Sequence, residues 1–233
     1  MRRLWLGGSF NPVHLGHLTL ADSLTQALKT RVFLLPCGAS AFGKELASST
    51  VRLQMLKLAL ADFPRLALDE REINRGGASY TCDTLTELRQ TWGPDARLGF
   101  VLGEDALAQL HKWKNYRQLL TQANLLVLRR GEGVDKGSGG ALPPALAKER
   151  LAACPRQVSE LIAPALVGLD EWQKSSHGSV LFWHNEGMSV SATRIRELAR
   201  QEAWEALKSL VPASVLTCLR EIKPYTRATA PGW

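Results

Sequence analysis

Two groups of residues in this sequence have side chains and spacings suited to handling phosphate. The first is Gly7-Gly8-Ser9-Phe10-Asn11-Pro12-Val13-His14-Leu15-Gly16-His17. A short apolar run, Leu4-Trp5-Leu6, ends in the glycine pair, and apolar residues at helical spacing begin at Leu15. That order reads as strand, tight turn, helix start. Glycine lets backbone come close to a ligand, and a helix start offers N–H groups and partial positive charge. His14 and His17 lie three apart across Gly16, so both imidazoles can enter one small volume and meet a phosphate or a developing negative charge. The second group is Ser189-Val190-Ser191-Ala192-Thr193-Arg194-Ile195-Arg196. Ser191 is a natural N-cap. Thr193 and Arg196 share one helix face, while Ile195 and Leu198 share another that can bury. A hydroxyl beside an arginine one turn on can clamp a triphosphate. Taken alone, the same segment also reads as a capped surface helix with solvated arginines.

Three further segments carry weaker signals. Ser79-Tyr80-Thr81 opens a helix with Asp83 and Thr84 in its first turn, and capping accounts for the hydroxyls as well as a ligand would. Gly103-Glu104-Asp105 follows a strand, where a carboxylate can hold ribose hydroxyls. Trp113 can stack on a planar ring or belong to the core. Lys44, in Ala41-Phe42-Gly43-Lys44, is a lone loop cation.

The elements that must position these residues are legible as an alternation. Strands are expected at 4–6, 32–35, 66–68, 98–102, 125–128 and 180–183. Helices are expected at 15–28, 51–63, 81–92, 192–201 and 212–222. The apolar stripes read as Leu18, Ala21, Leu24, Ala27 and Leu28 in the first helix, Leu53, Leu56, Leu60 and Phe63 in the second, and Leu85, Leu88 and Trp92 in the third. Such alternation implies right-handed βαβ units and an α/β fold with a doubly wound parallel sheet flanked by helices, followed by C-terminal helices. The chain reads as one domain over 1–222, with an exposed Gly/Ser/Pro-rich loop at 131–144 and an unpacked polar tail at 223–233.

Composition bounds the function. The chain has 233 residues, 45% hydrophobic and 22% charged, an ordinary globular balance. No run approaches the ~18 apolar residues of a membrane span, and the start is too short in apolar residues for a signal peptide, so a cytoplasmic protein is expected. Cys37, Cys82, Cys154 and Cys218 form no Cys-x-x-Cys pair, and reduced thiols are expected rather than a metal site. The net charge of +7 suits a polyanionic partner, yet no block of five or more Lys/Arg favours a nucleic-acid arm.

The His14-x-Gly16-His17 and Ser191-x-Thr193-x-x-Arg196 patterns together resemble the nucleotidyltransferase superfamily. Within it, the order of Gly7 to His17, Asp69-Glu70-Arg71-Glu72, Ser79-Tyr80-Thr81, Asp83-Thr84-Leu85, Gly103-x-Asp105, Trp113 and Arg130 is similar to that of the bacterial nicotinate-nucleotide adenylyltransferases, over roughly residues 3 to 222. The resemblance implies a Rossmann-like sheet and adenylyl transfer from ATP to nicotinate mononucleotide in NAD biosynthesis. It implies that Gly8, Ser9 and Phe10 line the nucleotide cleft and that His14 and His17 bind ATP phosphates. Ser191, Thr193, Arg194 and Arg196 would grip the triphosphate, with His14, His17 and Arg196 catalytic, and Gly103 and Asp105 would hold the adenosine ribose. Lys44, Tyr80, Thr81, Thr84, Trp113 and Arg130 would surround the pyridine nucleotide. Mg²⁺ is expected to arrive on the ATP phosphates, with no metal site built by the protein. One departure is plain: Ala41-Phe42-Gly43-Lys44 stands where this family usually shows Pro-Pro-His and a cation, and it resembles Gly-Lys-rich segments of eukaryotic-type relatives. Nicotinamide mononucleotide therefore stays open as a preferred or equal substrate. A non-catalytic nucleotide- or RNA-binding relative is the rival of a different class, against which the intact His14, His17, Thr193 and Arg196 argue.

Overall fold

Three short apolar strands lie at the middle of the molecule because their side chains are buried on both faces. The computed structural model describes residues 2–39, 43, 46–129, 140–185 and 190–225. Its strands are β1 (Arg3–Gly8), β2 (Arg31–Pro36), β3 (Leu66–Leu68), β4 (Leu98–Gly103), β5 (Asn124–Arg129), β6 (Gly140–Ala141) and β7 (Val180–His184). They form one sheet in the order β3-β2-β1-β4-β5-β7-β6. Every neighbouring pair is parallel except β6–β7. The helices among the described residues are α1 (Leu15–Leu28), α2 (Ser49–Leu60), α3 (Arg71–Arg75), α4 (Thr81–Trp92), α5 (Glu104–Ala108), α6 (Leu119–Gln122), α7 (Pro144–Leu151), α8 (Arg156–Ile162), α9 (Leu169–Lys174), α10 (Ala192–Arg200), α11 (Trp204–Leu207) and α12 (Ala213–Ile222).

Alternation along the strands divides the core in two. Leu4, Leu6, Val32, Leu34, Val101, Leu126 and Leu181 face α1, α2, α10 and α12. Trp5, Leu35, Phe100, Leu102, Val127 and Phe182 face α4, α5, α7 and α8. Helices on both faces of a parallel sheet make this a Rossmann-like, doubly wound fold. Chain order runs outward one way through β1, β2 and β3 and the other way through β4, β5 and β7. The direction switches between β1 and β4, and crevices outside the carboxyl ends of strands at such a switch are where ligands bind.

Five sequence expectations need correction. Of the expected α2 stripe, Leu56 is buried and Leu60 and Phe63 pack partly buried against the core, but Leu53 does not belong to the buried face, which Arg52, Met55 and Ala59 complete. Ala27 of α1 is exposed and Leu20 is buried in its place. Trp92 is exposed at the end of α4, with the Arg3 guanidinium 3.7 Å from its ring centroid. The expected loop at 131–144 is ordered at its end: β6 pairs with β7 and Leu142 is buried. Residues 131–139 lie outside the described residues. The expected tail is packed at its start, because Tyr225 is buried against the α2 and α10 side of the core.

Candidate active site

The end of β1 and the start of α1 build the first wall. Phe10 has φ of +43°, a left-handed conformation that strains a residue with a side chain. Its ring is buried, lies over Gly8 at 3.3 Å from where a Cβ would stand, and meets the His17 ring edge-on at 5.0 Å. A side chain at position 8 would therefore push on the residue that sets His17. His14 is the N-cap of α1, and its carbonyl accepts from the His17 and Leu18 N–H groups. The His14 and His17 rings stack with centroids 3.6 Å apart and planes 22° from parallel. The two imidazoles thus form one plate at the helix start, His14 buried and His17 partly open.

α10 supplies the opposing wall. Ser191 caps it, accepting from the Arg194 N–H at 3.4 Å. Arg196 donates from Nη1 to the Asn11 carbonyl at 2.9 Å and from Nη2 to Thr193 Oγ1 at 3.0 Å. The late motif is so tied to the first loop across 185 residues of chain. Arg194 points to Glu197 at 3.5 Å and is mostly solvated. Asn11 is a junction: its Oδ1 accepts from the Ala47 N–H at 3.1 Å and from the Tyr225 hydroxyl at 3.0 Å. Burial pushes the Tyr225 phenol well above its ordinary range, so it stays a neutral donor.

Across the switch, Gly103 ends β4 and precedes α5, with the Asp105 carboxylate folded over its Cα where a side chain would clash. Asp105 is exposed beside the crevice. Tyr80 is the N-cap of α4 and Thr81 its first residue, both partly open. The Lys114 ammonium sits 4.8 Å from the Tyr80 ring centroid and pairs with Asp83 at 3.0 Å. That pairing holds the Asp83 carboxyl below its usual range. Trp113 stands edge-on to Phe100 at 6.3 Å and stays half-buried, with one side in the core and the rest available.

Thr84 does not reach the crevice. It is fully buried, and its hydroxyl donates to Glu72 Oε1 at 2.6 Å while accepting from Arg75 at 3.1 Å. Its place one turn into α4 turns it toward the protein interior. Lys44 and Arg130 lie outside the described residues. Among the described residues no group of three or more His, Cys, Asp or Glu side chains could hold a metal ion.

The sequence reading gave no individual role to Asn11, Arg52, Glu72 or Tyr225. Arg52 is among the largest fully buried side chains, and its signal was present: an arginine on the same face as Met55, Leu56 and Ala59. Glu72 is buried, and burial raises its carboxyl above the usual range against the opposing hydrogen bonds from Thr84 and Ser79. Glu72 sits in a run of charged residues that reads equally well as solvated surface.

A parallel sheet with a glycine turn, a paired-histidine helix start and an arginine helix facing it across the switch point is the scaffold of a nucleotide-handling transferase. Residues 5–198 match the cytidylyltransferase-like family, and the chain belongs to that family. It is 36% identical over 217 residues to a protein of Marinobacter nauticus named "Probable nicotinate-nucleotide adenylyltransferase", covering 92% of each chain. A Chromobacterium violaceum protein of the same name is 39% identical over 222 residues, covering 94% of this chain and 96% of its own. Among solved structures, the Plasmodium falciparum nicotinic acid mononucleotide adenylyltransferase complexed with NaAD superposes with a TM-score of 0.69 over 96% of this chain and 97% of its own. At 15% identity that likeness shows the fold.

Proposed function

We infer that the protein transfers the adenylyl group of ATP to nicotinate mononucleotide, giving deamido-NAD and pyrophosphate in NAD biosynthesis. The observation that carries this reading is the stacked His14–His17 pair at the start of α1, with Arg196 of α10 bonded to the same loop at Asn11. The relatives' names supply the acceptor. A phosphate oxygen of the mononucleotide attacks the α-phosphorus of ATP. The bond from that phosphorus to the bridging oxygen breaks, and pyrophosphate takes the electron pair. The nucleophile is already an anion at neutral pH, so no strong base is needed. The work left to the chain is alignment and charge stabilisation. His14 and His17 meet the phosphates from the start of α1, and Arg196 and Thr193 meet them from α10. Gly8, Ser9 and Phe10 line the nucleotide cleft, and Ser191 and Arg194 complete the start of α10. Gly103 and Asp105 take the ribose, while Tyr80, Thr81 and Trp113 take the pyridine nucleotide. Magnesium belongs to the substrate, MgATP, held by phosphates and water.

The acid is the preferred mononucleotide. The start of α4, a twelve-residue helix, places backbone N–H groups and partial positive charge beside Tyr80 and Thr81. Asp83 would oppose an anion there, but Lys114 neutralises it. A carboxamide brings its own donors against those N–H groups, a mismatch of ~1–3 kcal/mol. The test is to supply MgATP with each mononucleotide and follow pyrophosphate release and dinucleotide formation. The acid should win by roughly tenfold to a hundredfold in kcat/KM. Equal or better turnover of the amide would overturn the acid preference, and no pyrophosphate with either would overturn the transferase reading.

A further inference from the structure

Arg52 is fully buried, and its guanidinium is spent on backbone carbonyls from three separate segments. Nε donates to Ala47 at 3.0 Å, ahead of α2. Nη1 donates to Ser9 at 3.0 Å, in the turn after β1, and to Cys37 at 2.8 Å, just past β2. Nη2 donates to Gly38 at 2.8 Å. The other side of the Cys37–Ala39 stretch is held as firmly. The Gly38 N–H donates to Ser79 Oγ at 2.8 Å, the Ala39 N–H to the Gly77 carbonyl at 3.1 Å, and the Ser79 N–H to the Ala39 carbonyl at 3.2 Å. Gly38 leaves no room for a side chain, since a Cβ there would stand 2.6 Å from the Glu72 carbonyl. Residues 37–39 are thus a strap. One edge is locked through Arg52 to the turn that carries Ser9, and the other is locked to Ser79, next to Tyr80 and Thr81.

We propose that Arg52 is a positioning residue for adenylyl transfer: through the strap it sets the spacing between the ATP turn at Gly8–Phe10 and the mononucleotide segment at Ser79–Thr81. The proposal rests on the adenylyl-transfer reading. It gives a physical reason for placing a cation in a core position, where an apolar residue would otherwise serve. In-line transfer needs the attacking oxygen and the phosphorus ~3–3.5 Å apart, and a misplacement of ~1 Å can cost ~10²-fold. Each half can hold its own substrate while the two halves drift relative to each other. The guanidinium fork reaches all three segments at once, which the compact ammonium of lysine cannot do.

The experiment measures Arg52→Lys, Ser79→Ala and the double variant beside wild type, with MgATP and nicotinate mononucleotide. Wild type must turn over; if it does not, the functional reading fails and this proposal falls with it. In folded Arg52→Lys, kcat should fall about tenfold or more, while Kd for each substrate alone should stay within about threefold, which loss of a binding site would not allow. The double variant should lose little more than the worse single variant, because both substitutions release the same strap. With wild type active, a kcat within about threefold of it in Arg52→Lys overturns the proposal, as do Kd losses as large as the kcat loss or additive losses in the double variant. If Arg52→Lys does not fold, Ser79→Ala decides alone, and a kcat within about threefold of wild type overturns the proposal.

Discussion

At the scale of single residues, the proposed transfer rests most heavily on the His14–His17 plate. A donor aimed at a transferring phosphoryl group gains most when charge develops, so His17→Ala should lower kcat by ~10²–10³-fold, with a smaller effect on KM. The readout is steady-state kinetics beside a thermal melt. A kcat near wild type in a folded variant would remove the role from His17. Phe10 explains why the plate is rigid. Its left-handed backbone sets a buried ring that packs edge-on against His17, while His14 stacks on His17 face to face. The motif shows that two histidines lie near a helix start. It does not show that they stack, nor that a strained phenylalanine holds them, because ring packing depends on contacts between neighbouring segments. Arg52 was hidden for a related reason. Leu53, one residue away along α2, offered a plausible buried position, and only the carbonyls of Ser9, Cys37 and Gly38 make an arginine preferable at 52.

At the scale of elements, the wall proposed to take the mononucleotide is made by two pieces: the start of α4 and the Leu110–Lys112 turn that delivers Trp113. Lys114 ties them by reaching Tyr80 and Asp83 at once. Trp113→Ala should raise KM for the mononucleotide and leave KM for ATP nearly unchanged, since an aromatic contact contributes ~0.5–1.5 kcal/mol beyond burial. A large drop in denaturant midpoint with both KM values intact would make Trp113 a core residue instead. The long elements were legible. β1, β2, β4, β5 and β7 are apolar runs stopped by glycine, proline or charge, and α1, α4, α10 and α12 show helical period. The resemblance read from the two phosphate motifs holds as well: the chain is a family member over residues 5–198. What escaped were short helices such as α3, α7, α8 and α9, of five to eight residues, too brief for a period to stand out. Strand β6 escaped because Gly140–Ala141 has no strand signature of its own and pairs only because β7 offers an edge.

At the scale of the whole molecule, the last described residue closes on the first loop. Tyr225 donates to Asn11, and its own carbonyl accepts from Arg200 at 3.2 Å. Tyr225→Phe should cost ~0.5–1.5 kcal/mol of stability, read as a lower denaturant midpoint. A pH signature identifies the phenol as the cause. An unfolded tyrosine ionises near pH ~10, whereas burial holds the folded one protonated to higher pH. The folded form therefore binds the proton more tightly, and the stability it confers is complete below pH ~10 and is lost as pH rises beyond it. Wild type should show that alkaline slope and Tyr225→Phe should lack it. The same slope in both proteins would assign it to other groups. The tail reading failed here because Lys223-Pro224-Tyr225 looks like solvated chain, and nothing local reveals a partner 214 residues away.

That separation also has a meaning in time. A chain made at ~5–20 residues per second takes roughly 10–40 s to pass from Asn11 to Tyr225. Throughout that interval Asn11 lacks the hydroxyl that anchors it, and for most of it Arg196 has not yet been made to grip the same loop. The turn between β1 and α1 is thus synthesised long before the two side chains that tie it down.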